Sequence, residues 1–296
     1  MTLRSFLFVP GDSEKKLGKG AESGADALIL DLEDSVAPDR KVLARNMVAE
    51  YLAARPGQTG PELWVRMNPL AEGGLDDLVA VVRAGPAGVM VPKPDGPADL
   101  VRISHVLDAL ERRDGVTAPV RLLPVATETA RAPFALSSYA DAGLTRLWGM
   151  TWGAEDLSSA IGARTNKGPD GTWATTYKVV RSMCLLAAKS AGVEAIETLY
   201  ADFRNEAGLI ADCQEAAREG FTGRIAIHPA QVAAINAAFT PSPEEVAHAT
   251  RVVAAFNATP GIGVVGLDGK MLDIPHLKQA QRVLGQAAAI AARRGP

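Results

Sequence analysis

Short apolar runs alternate along the chain with longer stretches whose apolar residues recur at helical spacing. The runs cover residues 5–10, 25–34, 62–68, 87–93, 120–129, 145–153, 193–200 and 224–229, and are rich in Val, Ile and Leu. Each is followed by a helix-periodic segment. This is the pattern of βα units around a parallel sheet. Eight such units in this length predict a TIM (β/α)8 barrel. A doubly wound open sheet is the competing architecture. The runs are apolar inside and polar at their C-terminal ends. Those ends carry Pro10-Gly11, Glu33-Asp34, Arg66 with Asn68, Lys93, Glu128, Glu155-Asp156, Glu197 and His228. A barrel builds its active site at that face.

The pattern changes at "TPSPEEV" (240–246). Pro241 and Pro243 punctuate it, and Glu244-Glu245 suit the first turn of a new helix. A Gly-rich, strand-like stretch follows, then an amphipathic helix over "MLDIPHLKQAQRVLGQAAAIAARR". Residues 1–240 are therefore expected to form the catalytic barrel. Residues 241–296 are expected to be a C-terminal helical extension, long enough to pack on a neighbouring subunit.

Composition narrows the field. Of 296 residues, 47% are apolar and 22% charged, with a formal net charge of −3 and no Lys/Arg-rich run, which argues against nucleic acid as a partner. No run of about 18 apolar residues predicts a membrane span. "MTLRSFLFVPGDS" lacks a small-residue cleavage site and reads as a first strand rather than a signal peptide. Cys184 and Cys213 have neither metal-type spacing nor a disulfide framework, and point to a reducing cytoplasm.

The stretch "LILDLEDSVAP" (28–38) sets the chemical question, because an apolar strand runs into Asp31, Glu33 and Asp34. Buried carboxylates need a cationic or metal partner. Glu128 and Asp156 sit at the ends of consecutive strands and should be neighbours. Two carboxylates at one rim repel unless a cation lies between them. One or two carboxylates, completed by water or substrate oxygens, is a Mg²⁺ pattern. Either acid could instead cap the helix that follows it. Arg66 is a fork for a substrate carboxylate, or a rim ion-pair partner of Glu33 or Asp34. Asn68 points to the same face of the extended run and could bind the same ligand. A strand-four lysine, Lys93, raises Schiff-base chemistry, but an acid-rich rim would keep it protonated and favours charge balance. For His228, packing or hydrogen bonding competes with catalysis. A Ser/Cys nucleophile motif, a zinc-type His cluster and a P-loop are all lacking.

"FLFVPG" (6–11), "LDLEDSV" (30–36), "VRMNPL" (65–70), "ETA" (128–130), "GAEDLSSAIGA" (153–163) and "AIHPAQ" (226–231) together resemble the citrate lyase beta-subunit-like group. That group belongs to the HpcH/HpaI aldolase family and includes malyl-CoA and citramalyl-CoA lyases. The resemblance implies a barrel with a C-terminal extension, a homotrimer or hexamer, and Mg²⁺ held by Glu128 and Asp156. It implies that Arg66 binds the acid's carboxylate, and that Glu33 and Asp34 organise the metal's water shell and the arginine. "GKMLDIP" resembles the segment where CoA-ester-cleaving members place an acid contributed to the neighbour's site, here Asp273. Glu197 stands where many relatives have Asp. The expected reaction is reversible cleavage of a 3-hydroxyacyl-CoA to acetyl-CoA and a 2-oxo acid, pyruvate or glyoxylate. Amides of "FVPGDS" are candidates for binding substrate oxygens. The alternatives are a citrate lyase beta subunit acting on a carrier-bound thioester, a thioesterase or synthase on the same scaffold, and a Schiff-base aldolase.

Overall fold

The computed structural model describes residues 2–55, 60–258 and 261–293. The eight apolar runs each contain a strand: β1 Ser5–Pro10, β2 Ala27–Asp31, β3 Glu62–Arg66, β4 Gly88–Val91, β5 Arg121–Pro124, β6 Gly149–Thr151, β7 Glu194–Glu197 and β8 Gly223–Ala226. Helices alternate with them: α1 Glu14–Gly20, α2 Lys41–Ala53, α3 Gly74–Val81, α4 Pro97–Asp114, α5 Ala132–Ala135, α6 Glu155–Ala160, α7 Thr175–Ser190, α8 Glu206–Glu219 and α9 Val232–Ala238.

All neighbouring strands pair in parallel, in the order β5-β4-β3-β2-β1-β8-β7-β6. The β5–β6 seam is closed by shorter contacts. Leu122 pairs with Leu147 and Val125 with Thr151, and the Ala126 N–H donates to the Thr151 carbonyl at 2.8 Å. An eight-stranded α/β barrel results, and the open-sheet alternative is excluded.

Strand alternation divides the core in two. Phe6, Ile29, Trp64, Met90, Leu123, Val125, Ile196 and Ile225 fill the barrel interior. Leu7, Val9, Leu28, Leu30, Val65 and Val89 face the helices. Gly88 is required on β4, because a Cβ there would enter the Trp64 ring. The N-terminal rim is sealed by ion pairs. Arg4 donates to both oxygens of Asp26 at 2.8 Å and to Thr240 Oγ1 at 2.9 Å. Arg121 pairs with Glu62 and lies over the rings of Trp64 and Trp148.

Beyond α9 the chain forms α10 Pro243–Asn257, a hairpin of β9 Val264–Leu267 and β10 Lys270–Asp273, and α11 Ile274–Arg293. Ser242 and Glu245 form a reciprocal cap that starts α10. The residues 271–273 expected to open the final helix belong instead to β10; the expected helix end at 294 lies outside the described residues. Ala249, Val252, Phe256, Val265, Leu272 and Ala280 give this extension its own small core. The far end of α11 returns to the barrel floor, where Arg293 donates to the Asp26 carbonyl at 2.9 Å. No described helix is long and apolar enough to cross a membrane.

Candidate active site

A cavity of about 450 Å³ opens at the C-terminal ends of the strands. Asp31, Asp34, Arg66, Glu128 and Asp156 line it together. Phe8, Met90, Val125 and Ile225 form its apolar floor, and Trp152, Trp173 and Leu199 its wall.

The register explains the arginine. Asp31 and Arg66 are paired positions on β2 and β3. Nε and Nη2 of Arg66 donate to the two oxygens of Asp31, both at 2.7 Å. Nη1 ion-pairs with Glu33 at 2.7 Å and approaches Asp34 at 3.7 Å. Arg66 is therefore the rim ion-pair partner that its sequence position suggested. Its fork is fixed by neighbouring acids, and since a guanidinium has five N–H donors, hydrogens remain for a ligand in the cavity. Burial pushes the Asp31 carboxyl up, but the Arg66 hydrogen bonds and charge outweigh it and hold it below its ordinary value. Asp31 was the acid that sequence reasoning left out of the site, although it is the strand's own last residue.

Lys93 has a left-handed backbone, φ 52°. This turns its N–H onto Glu128, at 2.7 Å. Its ammonium reaches Glu33 at 2.5 Å, Asp156 at 3.4 Å and Asp34 at 3.5 Å. Burial alone would lower its pKa, but Glu33, Asp156 and Asp34 raise it well above the ordinary lysine value. It is an ammonium under all ordinary conditions, a poor Schiff-base nucleophile and a good counter-charge.

Glu128 is strongly perturbed. Burial pushes its carboxyl up to about 8 against the Lys93 N–H, and the charges of Asp156 and Glu33 push the same way. Gly153 leaves room for it, since a Cβ there would lie 2.8 Å from Glu128 Cγ. Neither Glu128 nor Asp156 caps a helix. α5 and α6 begin after Arg131 and Ala154, without side-chain caps. Glu33 is likewise raised, because burial exceeds the opposing effects of Arg66 and Lys93. Five carboxylates thus surround two cations. A dication would reverse the repulsion that destabilises ionised Glu128. Among the described residues no three His, Cys, Asp or Glu side chains form a full metal cage. The donor set is two carboxylates plus space for water or ligand oxygens, which fits Mg²⁺ and not zinc.

Other expected site residues lie elsewhere. Asn68 is not free for a ligand. Its amide donates to Asp77 at 2.7 Å and to the Leu32 carbonyl at 2.9 Å, and its oxygen accepts from Lys41 at 2.8 Å. It locks the β2–β3 loops instead. The Gly11 N–H in "FVPGDS" is taken by the Asp31 carbonyl at 2.8 Å. His228 caps the helical turn at 229–231 and stacks on Phe203 at 4.6 Å. Glu197 is buried behind the cavity wall. Asp273 sits exposed on the hairpin, paired with His276 at 2.5 Å, and does not line this cavity. The aromatic wall of Trp152 and Trp173, 5.1 Å apart, was not foreseen. Only the position of Trp152 near the end of the sixth apolar run hinted at it.

A parallel barrel with an acid-rich, arginine-bearing cavity at its C-terminal rim has its site where α/β-barrel enzymes build theirs. The chain belongs to the HpcH/HpaI aldolase/citrate lyase family, whose model matches residues 4–229, and is an enzyme of the carbon–carbon lyase class. It is 38% identical over 289 residues to citrate lyase subunit beta of Escherichia coli (strain K12), covering 97% of this chain and 93% of the relative. It is 36% identical to the (3S)-malyl-CoA thioesterase of Cereibacter sphaeroides, covering 98% and 96%. To the mitochondrial citramalyl-CoA lyase of Rattus norvegicus it is 34% identical, covering 97% and 86%. A similar solved structure is protein CitE from Mycobacterium tuberculosis in complex with magnesium, acetoacetate and coenzyme A. The two share 31% identity and a TM-score of 0.77, covering 97% of this chain and 98% of the other.

Proposed function

We propose that the protein is a Mg²⁺-dependent lyase that reversibly cleaves a 3-hydroxyacyl-CoA of the citramalyl-CoA or malyl-CoA type. The products are acetyl-CoA and pyruvate or glyoxylate. The observation that carries this reading is one cavity holding both a preset guanidinium and an excess of carboxylates. An acid substrate explains the first and a dication the second.

Glu128 and Asp156 would hold Mg²⁺, whose Lewis acidity polarises the hydroxy-acid oxygens when it is bound. Arg66, set by Asp31 and Glu33, pairs with the substrate carboxylate and fixes the orientation of the bond to be broken. Lys93 balances the rim and orients Glu128 through its N–H. Trp152 and Trp173 keep water from the apolar side of the cavity. The bond between the hydroxyl-bearing carbon and the carbon next to the thioester breaks. Its electron pair stays with the thioester as an enolate, and the hydroxyl gives up its proton to an ionised carboxylate of the rim as it becomes the carbonyl of the 2-oxo acid. Asp273 of a neighbouring subunit protonates the enolate, or removes the methyl proton in the reverse direction. That role requires a homotrimer or hexamer in which residues 241–296 pack on the neighbour's 1–240 barrel.

The test is cleavage of (S)-citramalyl-CoA and malyl-CoA with and without EDTA, trapping the 2-oxo acid as a hydrazone. Hydrazone that appears with Mg²⁺ and vanishes with chelator is expected. Free thiol without hydrazone would favour the thioesterase reading, which the Cereibacter relative supports. Activity only on a carrier-bound citryl thioester would favour a citrate lyase beta subunit, which the Escherichia relative supports.

A further inference from the structure

We infer that Glu197, at the end of β7, is a positioning residue that holds the Asp156-bearing turn in place through Trp152. The inference rests on the proposed role of Asp156 and otherwise on geometry.

Thr151 of β6 and Ile196 of β7 are register partners, so Trp152 and Glu197 are the next pair toward the rim. The Trp152 Nε1–H donates to Glu197 Oε1 at 2.5 Å, and the Thr198 N–H donates to the same oxygen at 2.9 Å. Arg181 on α7 donates from Nε to Oε2 at 2.7 Å. Glu197 is only 1% exposed. A buried carboxylate is expensive, and leaving one partner out is more so. Simple packing at this place needs only an apolar side chain. Here three donors from three segments fix one carboxylate, and one of them is the indole of the cavity wall.

Trp152 passes through Gly153 and Ala154 directly to Glu155 and Asp156 at the start of α6. The same turn is held from the other side, where the Gly153 N–H donates to Thr127 Oγ1 at 3.0 Å. Gly153 also touches Glu128 so closely that it admits no Cβ. A displaced indole therefore shifts the spacing between the two carboxylates assigned to the metal. A group one step behind a ligand sets its geometry in this way.

The experiment is calorimetric titration of Mg²⁺ into wild type, Glu197→Gln, Trp152→Phe and the double variant, with circular dichroism and thermal melting alongside. Gln keeps one acceptor oxygen, and Phe keeps a ring while removing only the N–H and the second ring. Each single variant is expected to weaken Mg²⁺ about tenfold with the native spectrum retained. The double variant should be little worse than the weaker single one, because both break one linkage. If Glu197→Gln does not fold, Trp152→Phe decides alone. Folded variants with lowered Tm but wild-type Mg²⁺ affinity would make Glu197 a packing residue and overturn the inference. Wild type that binds no Mg²⁺ would overturn the lyase reading itself and the inference with it.

Discussion

The two ends of the barrel use the same residue types for opposite purposes. At the N-terminal rim, Arg4 and Asp26, then Glu62 with Arg121 and Arg293, match charge with charge, and Trp64 and Trp148 close the interior above them. At the C-terminal rim, Asp31, Glu33, Asp34, Glu128 and Asp156 have ion-pair partners among the described residues only in Arg66 and Lys93. Burial raises Asp26 less than its Arg4 bonds lower it, so that acid ends below its ordinary value. Burial, with the charges of Asp156 and Glu33, raises Glu128 to about 8 against the Lys93 N–H and the Arg66 charge. One end is finished as a structure. The other keeps an unbalanced charge that a ligand must complete, as active sites do.

The contrast breaks first at the acid-rich end. Glu128→Gln or Asp156→Asn is expected to cost roughly a hundredfold or more in kcat/KM, about 2.7 kcal/mol of transition-state stabilisation. Tm without magnesium should hold or rise, since a neutral amide meets neither the burial cost nor the like-charge repulsion that ionisation meets at this rim. A steady-state assay paired with a melt checks both. Asp26→Ala should do the reverse. Stranding buried Arg4 should cost about 3–5 kcal/mol in urea unfolding while kcat/KM of the folded protein stays unchanged.

The pH response should also differ in sign. The folded Asp26 lies below its ordinary 3.8, so its contribution to stability is present above pH 3.8 and is lost as pH falls through the folded value. Glu128 moves from 4.5 to about 8, so the folded protein holds a proton that the unfolded chain has released. Its contribution is complete below pH 4.5 and lost as pH rises through about 8. Magnesium favours the ionised form, so binding near neutrality should eject a proton from wild type and not from Glu128→Gln. Calorimetry in buffers of different ionisation enthalpy reads that proton. The smallest effect is expected at His228→Asn. Asn also caps helices, so stability should change by about 0.5 kcal/mol or less with activity kept.

The strands were legible because apolar runs bounded by polar ends carry the barrel pattern directly. Glu128, Asp156 and Arg66 were legible because strand ends in a barrel share one face. Asn68 misled for the same reason. Its alternation was right, but the pattern could not show Asp77, nine residues on, taking its amide. Asp31 was visible as a strand-end acid, but its hold on Arg66 depends on the β2–β3 register, which the sequence pattern does not show. Glu197 is seen as a positioning group only when Trp152 and Arg181, from separate segments, meet on it. The β9–β10 hairpin was half visible. The Gly-rich stretch read as strand-like, but "MLD" fits a strand or a helix equally well until Leu272 is seen in the core with Val265.

The most direct measurement is anomalous diffraction from crystals soaked with Mn²⁺, as a magnesium substitute, and pyruvate. The account predicts one metal peak between Glu128 and Asp156, with the pyruvate carboxylate on Arg66. A metal bound elsewhere, or an empty rim with pyruvate away from Arg66, would contradict it.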